Sequence, residues 1–418
     1  MASTLIANLG DSPAVIAALV HTLHAQGKTL NQIEIFYPAV AEDRWIGAGF
    51  ALLEDYLASI QSAPVVGVEL PFADATTTET SLCYLRHLCT RLAYHERCGN
   101  HVLLGISGGR KHISALMALP ASFYHCVEAI LHLHDREGDL ADRQFTSHQL
   151  TTFSTEQRRH AFTPPASRFN LVHIPHIRLA DGPALRRWLA SAEQGQPPRP
   201  ITIVPSARSF YHHIFGEATP FAPIPGEEPV RASSLQLIAP LGDSPLVVTQ
   251  ACALLATHGQ IIAGLHIVYP AHDRSIADGA NLLKHVCNRC NIPFSAYPAA
   301  IADLDDDAAI EPFQASLQQA VVSAQSTRDN QPPHDHAILL SGGRKGMAAL
   351  ALDIAQRNGI TRAYHTTILR LSDEEEIISA YKSAYRGPYG PLAQLMFNAA
   401  AEPNKFALIE VPVIGVTV

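Results

Sequence analysis

The sequence predicts an α/β protein made of two tandem domains with mostly parallel sheets, and three observations carry that prediction. The pentapeptide Ser-Gly-Gly-Arg-Lys occurs twice, at residues 107–111 and 341–345. Other landmarks return in the same order: the stretch from Leu5 to Pro13 reappears from Leu237 to Pro245, 232 residues on. Tyr37-Pro38-Ala39 returns as Tyr269-Pro270-Ala271 at that spacing, and the glycine turn returns after 234 residues. Finally, short apolar runs alternate with stretches of helical spacing in both copies, the pattern of a parallel sheet covered by helices on both faces. Later in each copy Tyr124-His125 is matched with Tyr364-His365, and Ile174-Pro175-His176-Ile177 with Val411-Pro412-Val413-Ile414. A period this long describes a duplicated domain; solenoid repeats are about 20 to 50 residues. The expected boundaries are residues 1–182 for the first domain, 183–233 for a linker and 234–418 for the second domain.

Taken in order, the first copy opens on Leu5-Ile6-Ala7-Asn8-Leu9, an apolar run of buried-strand length ended by Gly10. Pro13 then stands just inside the start of a helix expected over 14–25. Further strands are expected at 33–37, 65–70, 102–106, 127–133 and 171–177, with helices at 47–60, 80–94 and 111–119. The second copy repeats the strands at 235–241, 261–268, 293–297, 338–341, 363–369 and 407–413, with helices between. Between the copies a short helical pattern at 183–193 gives way to Pro197, Pro198, Pro200, Pro205, Pro220, Pro223, Pro225 and Pro229. So many prolines exclude long helices and central strands. The segment reads as an ordered linker, and its Arg208, His212 and His213 mark either a solvated turn or a lid.

Composition narrows the function classes. A formal net charge of −8 argues against a broad basic face that coats long DNA or RNA, while leaving room for a small anion held by local Arg and Lys. With 47% hydrophobic and 16% charged residues the chain is an ordinary globular one. Its seven scattered cysteines suit a reducing compartment. The first ten residues run directly into a strand pattern, unlike a signal peptide, and no apolar run approaches the roughly 20 residues of a membrane span. The expectation is a soluble cytoplasmic protein without membrane contact.

Chemistry concentrates in two kinds of turn. In Ser107-Gly108-Gly109-Arg110-Lys111 and Ser341-Gly342-Gly343-Arg344-Lys345, a buried strand leads through glycines into a helix start. That geometry offers backbone N–H groups and a positive dipole end to an anion, with Arg and Lys as countercharge. Gly10-Asp11-Ser12-Pro13 and Gly242-Asp243-Ser244-Pro245 also follow first strands and open helices. Asp11, Ser12, Asp243 and Ser244 could act only as helix caps; beside a second anion-friendly turn they also read as ligand contacts. Ligands of open α/β sheets sit beyond the C-terminal strand ends where strand order reverses, so both turns are expected at one shared crevice. Metal readings are weaker: Cys287 and Cys290, with His285 nearby, lack a second pair for zinc. His334-Asp335-His336 reads as a polar loop and Asp305-Asp306-Asp307 as a solvated helix start. No metal or cofactor is expected.

An opening strand ending in Gly-x-Ser-Pro, then Ser-Gly-Gly-Arg-Lys with an apolar helix, Tyr124-His125 and a final Val-Pro strand resemble the CRISPR-associated Rossmann-fold (CARF) family. Phe162-Thr163-Pro164-Pro165 adds to the likeness, which covers most of both copies but not the linker. The resemblance implies two Rossmann-like domains arranged as a pseudo-two-fold intramolecular dimer, a monomer that binds cyclic oligoadenylate, most often the four-membered ring. It implies a ring nuclease, because no segment outside the copies is long enough for an effector domain of about 100 residues. The Arg-x4–6-His pattern of relatives' ribonuclease domains fits both Arg208 to His213 and Arg168 to His173, and so identifies neither. In the implied reaction a ribose 2′-OH attacks the adjacent phosphorus without metal. Lys111 and Lys345 would stabilise transition-state charge, and Ser12 and Ser244 would position the nucleophile or a phosphate oxygen. Gly10, Asp11, Ser107, Gly108, Gly109 and Arg110 would contact ligand in one copy, and Gly242, Asp243, Ser341, Gly342, Gly343 and Arg344 in the other. Arg110 and Arg344 could instead point into the fold. His125 and His365 join as acid–base or ligand-contacting groups. Asp11 and Asp243 replace the Thr more usual in relatives. The alternative is a sensor that binds the ring without cutting it. An ATP-pyrophosphatase, whose signature also begins Ser-Gly-Gly, is a poor third, since its turn follows the first strand.

Overall fold

The computed structural model describes residues 3–39, 43–109, 111–137, 145–176, 234–257, 260–289, 292–326, 335–360, 362–368, 377 and 405–412. The expected linker at 183–233, with Arg208, His212 and His213, lies outside the described residues, as do Arg110 and Cys290. The chain divides into two compact units, and each holds one six-stranded sheet.

The first unit runs β1 (Ser3–Asn8), α1 (Ala14–Ala25), β2 (Leu30–Pro38), α2 (Arg44–Ser59), β3 (Val65–Leu70), α3 (Thr78–Cys98), β4 (His101–Gly105), α4 (Lys111–Ala118), β5 (Val127–Asp135), α5 (Ser147–Thr152), α6 (Thr155–Phe162) and β6 (Phe169–Ile174). Its sheet has the order β3-β2-β1-β4-β5-β6. Every neighbouring pair is parallel except β5 and β6. Central β1 is buried along its whole length, as its apolar run requires, while edge strand β3 is half exposed. Alpha helix α1 buries Ala14, Ile16, Ala17, Leu19, Val20 and Leu23 in one core with Leu5, Ile33, Ile35 and Leu131.

The second unit repeats the plan: β7 (Ser234–Pro240), α7 (Leu246–Thr257), β8 (Ile261–Pro270), α8 (Arg274–Arg289), β9 (Phe294–Ala299), α9 (Ile310–Gln325), β10 (Asp335–Leu339), α10 (Lys345–Arg357), β11 (Arg362–Ile368) and β12 (Phe406–Pro412). Its strand order, β9-β8-β7-β10-β11-β12, is that of the first sheet strand for strand, again with only the last pair antiparallel. Asp335 and His336, expected in a loop, are the first residues of β10, where Asp335 pairs with Arg362 at 2.9 Å. The helices α5 and α6 were not expected. Each opens on a capping box, Thr146 with Gln149 and Ser154 with Gln157, a start signal that is readable in the sequence. No described helix is long and apolar enough to cross a membrane.

In each sheet the strand order reverses between the first and fourth strands, and the turns that follow those strands interlock through backbone. A Cβ on Gly10 would fall 2.6 Å from the Gly109 nitrogen, and one on Gly108 would fall 1.6 Å from the Asn8 carbonyl oxygen. Gly109 itself has φ +72°, a left-handed conformation that favours glycine. In the second unit a Cβ on Gly342 would lie 2.1 Å from the Pro240 carbonyl oxygen, and the Gly242 N–H donates to the Gly342 carbonyl at 2.7 Å.

Matched register also exposes what has diverged. Ile6 pairs with Glu34 across β1 and β2, and Ile238 with His266 across β7 and β8, so Glu34 and His266 occupy one position. Glu34 is fully buried and is held by Arg91, and by His95 at 2.8 Å. Burial would raise its carboxyl, but hydrogen bonds and charge from Arg91 and His95 win and hold it below the ordinary value. His266 lies 3.0 Å from both the Tyr297 hydroxyl and Gln236 Oε1. Burial, helped by the charge of His336, pulls its imidazole down to about 4.

Two expectations test this packing. Gly108→Ala and Gly342→Ala should each lower thermal stability at or beyond the ~1–3 kcal/mol of an overpacked core. Gly27→Ala, at φ +74° with nothing within 4 Å, should cost only the ~1–2 kcal/mol of a left-handed alanine. For His266, the unfolded chain takes up a proton below 6.5 that the folded chain refuses until about 4, so folding stability falls as pH falls through that window. The loss, about 3 kcal/mol at most, should be absent from His266→Gln when urea unfolding of the two proteins is compared from pH 7 to pH 4.5.

Candidate functional site

The reversal point of the first sheet brings the N-termini of α1 and α4 to neighbouring strand ends. Neither helix has an acidic residue in its first turn, and neither do α7 and α10 in the second unit. The positive ends of these dipoles are therefore not neutralised within their own helices. Ser12 stands at this point. Its Oγ is buried and has no hydrogen-bond partner among the described residues, and α1 carries no side-chain cap. The capping alternative for Ser12 and Asp11 is thus not what the turn uses. A buried hydroxyl left unsatisfied costs about 1–3 kcal/mol, which favours a bound acceptor. Asp11 is exposed; its carbonyl accepts from the Ser147 N–H at 2.7 Å and the Ser147 hydroxyl at 3.1 Å, so the start of α5 braces the turn. In the second unit Asp243 is likewise exposed and Ser244 half-buried.

The serines of the glycine turns fasten backbone. Ser107 and Ser341 are buried. Their hydroxyls accept backbone N–H groups from the next strand, Leu133 on Ser107 at 2.5 Å and Thr366 on Ser341 at 2.8 Å. Each serine thus ties the turn to the strand beside it. The Gly242 amide donates to the Gly342 carbonyl, so it is taken up within the protein.

The paired cations separate. Lys345 is the first residue of α10 and half-buried, and Lys111 is the first residue of α4. Arg344, still 40% exposed, makes an ion pair with Asp303, Nη1 to Oδ2 at 2.7 Å. Its charge reaches Asp273 as well. Burial would raise that carboxyl; hydrogen bonds from Ser275 and Ile276, with Arg344 behind them, leave it below the ordinary value.

The histidines need re-pairing. His125 is exposed and precedes β5, at the opposite end of the sheet from the turns, so it is not beside them. Leu133 on Ser107 corresponds to Thr366 on Ser341, and the residue before each is a buried histidine, His132 and His365. Strand register agrees: Gly105 pairs with Leu131 and Leu339 with Tyr364. His132 Nδ1 lies 3.3 Å from Ser107 Oγ. The spacing of 233 residues between these two histidines, against 240 for His125 and His365, was the available signal.

Of the other motifs, Arg168 is bidentate to Asp135, both contacts 2.6 Å, as a brace of the β5–β6 pair. Cys287 is buried in the second core. Among the described residues no group of three or more His, Cys, Asp or Glu side chains could hold a metal ion.

Residues 12–199 match the family model of CRISPR-associated protein NE0113. No curated protein matches the sequence. Among solved structures, a type III CRISPR defence DNA nuclease activated by cyclic oligoadenylate is similar at 14% identity and a TM-score of 0.46; the match covers 87% of this chain and 65% of that one. A glycosyltransferase from Rickettsia africae ESF-5 follows at 12% identity and a TM-score of 0.20, covering 97% of this chain and 94% of its own. A-type ketoreductases of a modular polyketide synthase follow at 11% and 0.19, covering 99% and 89%. The likeness to a CRISPR-associated family thus covers the first copy, and the second unit repeats its strand topology.

Proposed function

We propose that the chain binds a cyclic oligoadenylate, the four-membered ring, at its strand-end turns, and cleaves it without a metal. The observation that carries this reading is the buried, unpartnered Ser12 hydroxyl set where two helix N-termini converge, in a chain whose first copy matches a CRISPR-associated family. A phosphodiester supplies the acceptor that hydroxyl lacks, and the helix ends favour its charge.

In the reaction proposed, a ribose 2′-oxygen attacks the adjacent phosphorus and the bond from phosphorus to the 5′-oxygen breaks in line. The 2′ proton is lost and the leaving 5′-oxygen gains one. Two such cuts turn the four-membered ring into two linear di-adenylates with 2′,3′-cyclic phosphate ends and free 5′-hydroxyls. The protein's part is to fix the in-line geometry and to stabilise charge on the phosphoryl oxygens. Lys111 and Lys345, each opening a helix, are placed in sequence to supply that charge, and Ser12 and Ser244 to position the phosphate or nucleophile.

A sensor that binds without cutting is favoured by one observation, the closed second turn. There the Gly242 amide and Arg344 are both taken up by protein partners. The two readings part on a simple incubation of the purified protein with cyclic tetra-adenylate in EDTA, followed by chromatography. Linear di-adenylates are expected; a ring intact after long incubation sinks the enzyme. Because the second turn is closed, Lys111→Ala and Lys345→Ala should lose unequal amounts of single-turnover rate. The larger loss should be about 10²–10³-fold, the scale of one transition-state charge contact. Equal losses would show that the half-sites do not differ.

A further inference from the structure

From the surface beside the Ser12 turn we infer that Trp45, with Arg44 and His148, is an adenine-stacking platform belonging to the first unit alone. The inference rests on the messenger reading above and names the base contact of the same site.

Trp45 is 37% exposed, one of few large apolar side chains to be so among the described residues. The Arg44 guanidinium sits 4.5 Å from its ring centroid, and the His148 ring meets it edge-on at 4.2 Å. Both flanking residues are exposed as well. The position is fixed by packing that leads back to the turn. Asp43 caps α2 by accepting from the Trp45 and Ile46 N–H groups, which sets the first turn of that helix at the C-terminal side of β2. Gly49, one helical turn further on and on the same face, packs so closely that a Cβ there would fall 2.2 Å from Ser147 Oγ and 2.9 Å from Pro13. Ser147 is the residue bonded to the Asp11 carbonyl, and His148 follows it. An aromatic face, a cation and an imidazole therefore border the phosphate-binding turn.

Nucleobases splayed from a backbone are taken up on aromatic rings and guanidinium planes. Stacking of a base on a ring is stronger than an exposed cation–π pair, so an adenine can displace Arg44 from Trp45 and leave the guanidinium for a phosphate. Among the described residues the matching place of the second unit lacks the aromatic ring. Asp273 caps α8 at the matching place, but the residues that follow are Arg274 and Ser275, and Gly279 meets only Pro245 at 3.6 Å.

The chain has two tryptophans, Trp45 and Trp188, so Trp188→Phe leaves Trp45 as the sole indole reporter. Titrating Trp188→Phe with cyclic tetra-adenylate should quench its fluorescence, whereas inorganic phosphate should not. By calorimetry, Trp45→Ala should weaken the ring about 5- to 100-fold, and Trp45→Tyr should restore most of the affinity, with melting curves reporting that the variants fold. Ring binding with unchanged Trp45 fluorescence and an unweakened Trp45→Ala would overturn the platform and leave the messenger reading standing. Failure of the parent protein to bind the ring at all would overturn both.

Discussion

Two turns touching through backbone, with no side chain between them, set the geometry of each unit. Gly108 lies against the Asn8 carbonyl and Gly10 against the Gly109 nitrogen, so the ends of β1 and β4 are brought as close as polypeptide allows. The helices that leave those strands must then start side by side, and their dipoles add at one place. A larger residue at either glycine would separate the two helix starts before it disturbed anything else. That constraint accounts for the glycine pair in both copies. The flanking serine serves the same constraint from the other side, through Leu133 in one unit and Thr366 in the other.

Around that shared frame the copies have become chemically different. The interior position next to the central strand is a carboxylate held by Arg91 and His95 in one unit and a neutral imidazole between a hydroxyl and an amide in the other. Both satisfy a buried polar group, but by opposite means: Glu34 is kept ionised by its neighbours, and His266 is kept neutral by burial. At the rim, the first unit carries α5, which braces the turn through Asp11, and the second fastens its turn with Gly242 to Gly342. One backbone frame thus carries two chemically unlike turns.

Most of the fold was legible because its signals are local. Apolar runs of strand length, helix-start prolines and the long repeat gave the strands within a few residues, and β3 at its observed limits of Val65 and Leu70. What escaped depends on which strand lies beside which. The hydroxyl of Ser107 finds its partner 26 residues away only because β5 sits next to β4. The likeness of Tyr124-His125 to Tyr364-His365 was equally persuasive as text, yet register places Leu131-His132 opposite the second pair. A shared dipeptide does not fix register; a constant spacing from the serine does. The two capping boxes of α5 and α6 were there to be read, but both helices are too short for their periodicity to stand out.

Asp11 poses the remaining physical question, an acid in a turn read as holding phosphate. Its side chain is exposed, where water screens it, and two like charges 4 Å apart in water repel by only about 1 kcal/mol. A phosphate bound there would meet two helix starts with no acidic residue in their first turns, and the Ser12 hydroxyl, which has no partner among the described residues. The exposed acid would therefore weaken such a contact from solvent without reversing it. Its backbone meanwhile is indispensable, since the Asp11 carbonyl is the point at which Ser147 fastens α5 to the turn. The carboxylate is tolerated because the residue's structural work is done by its main chain.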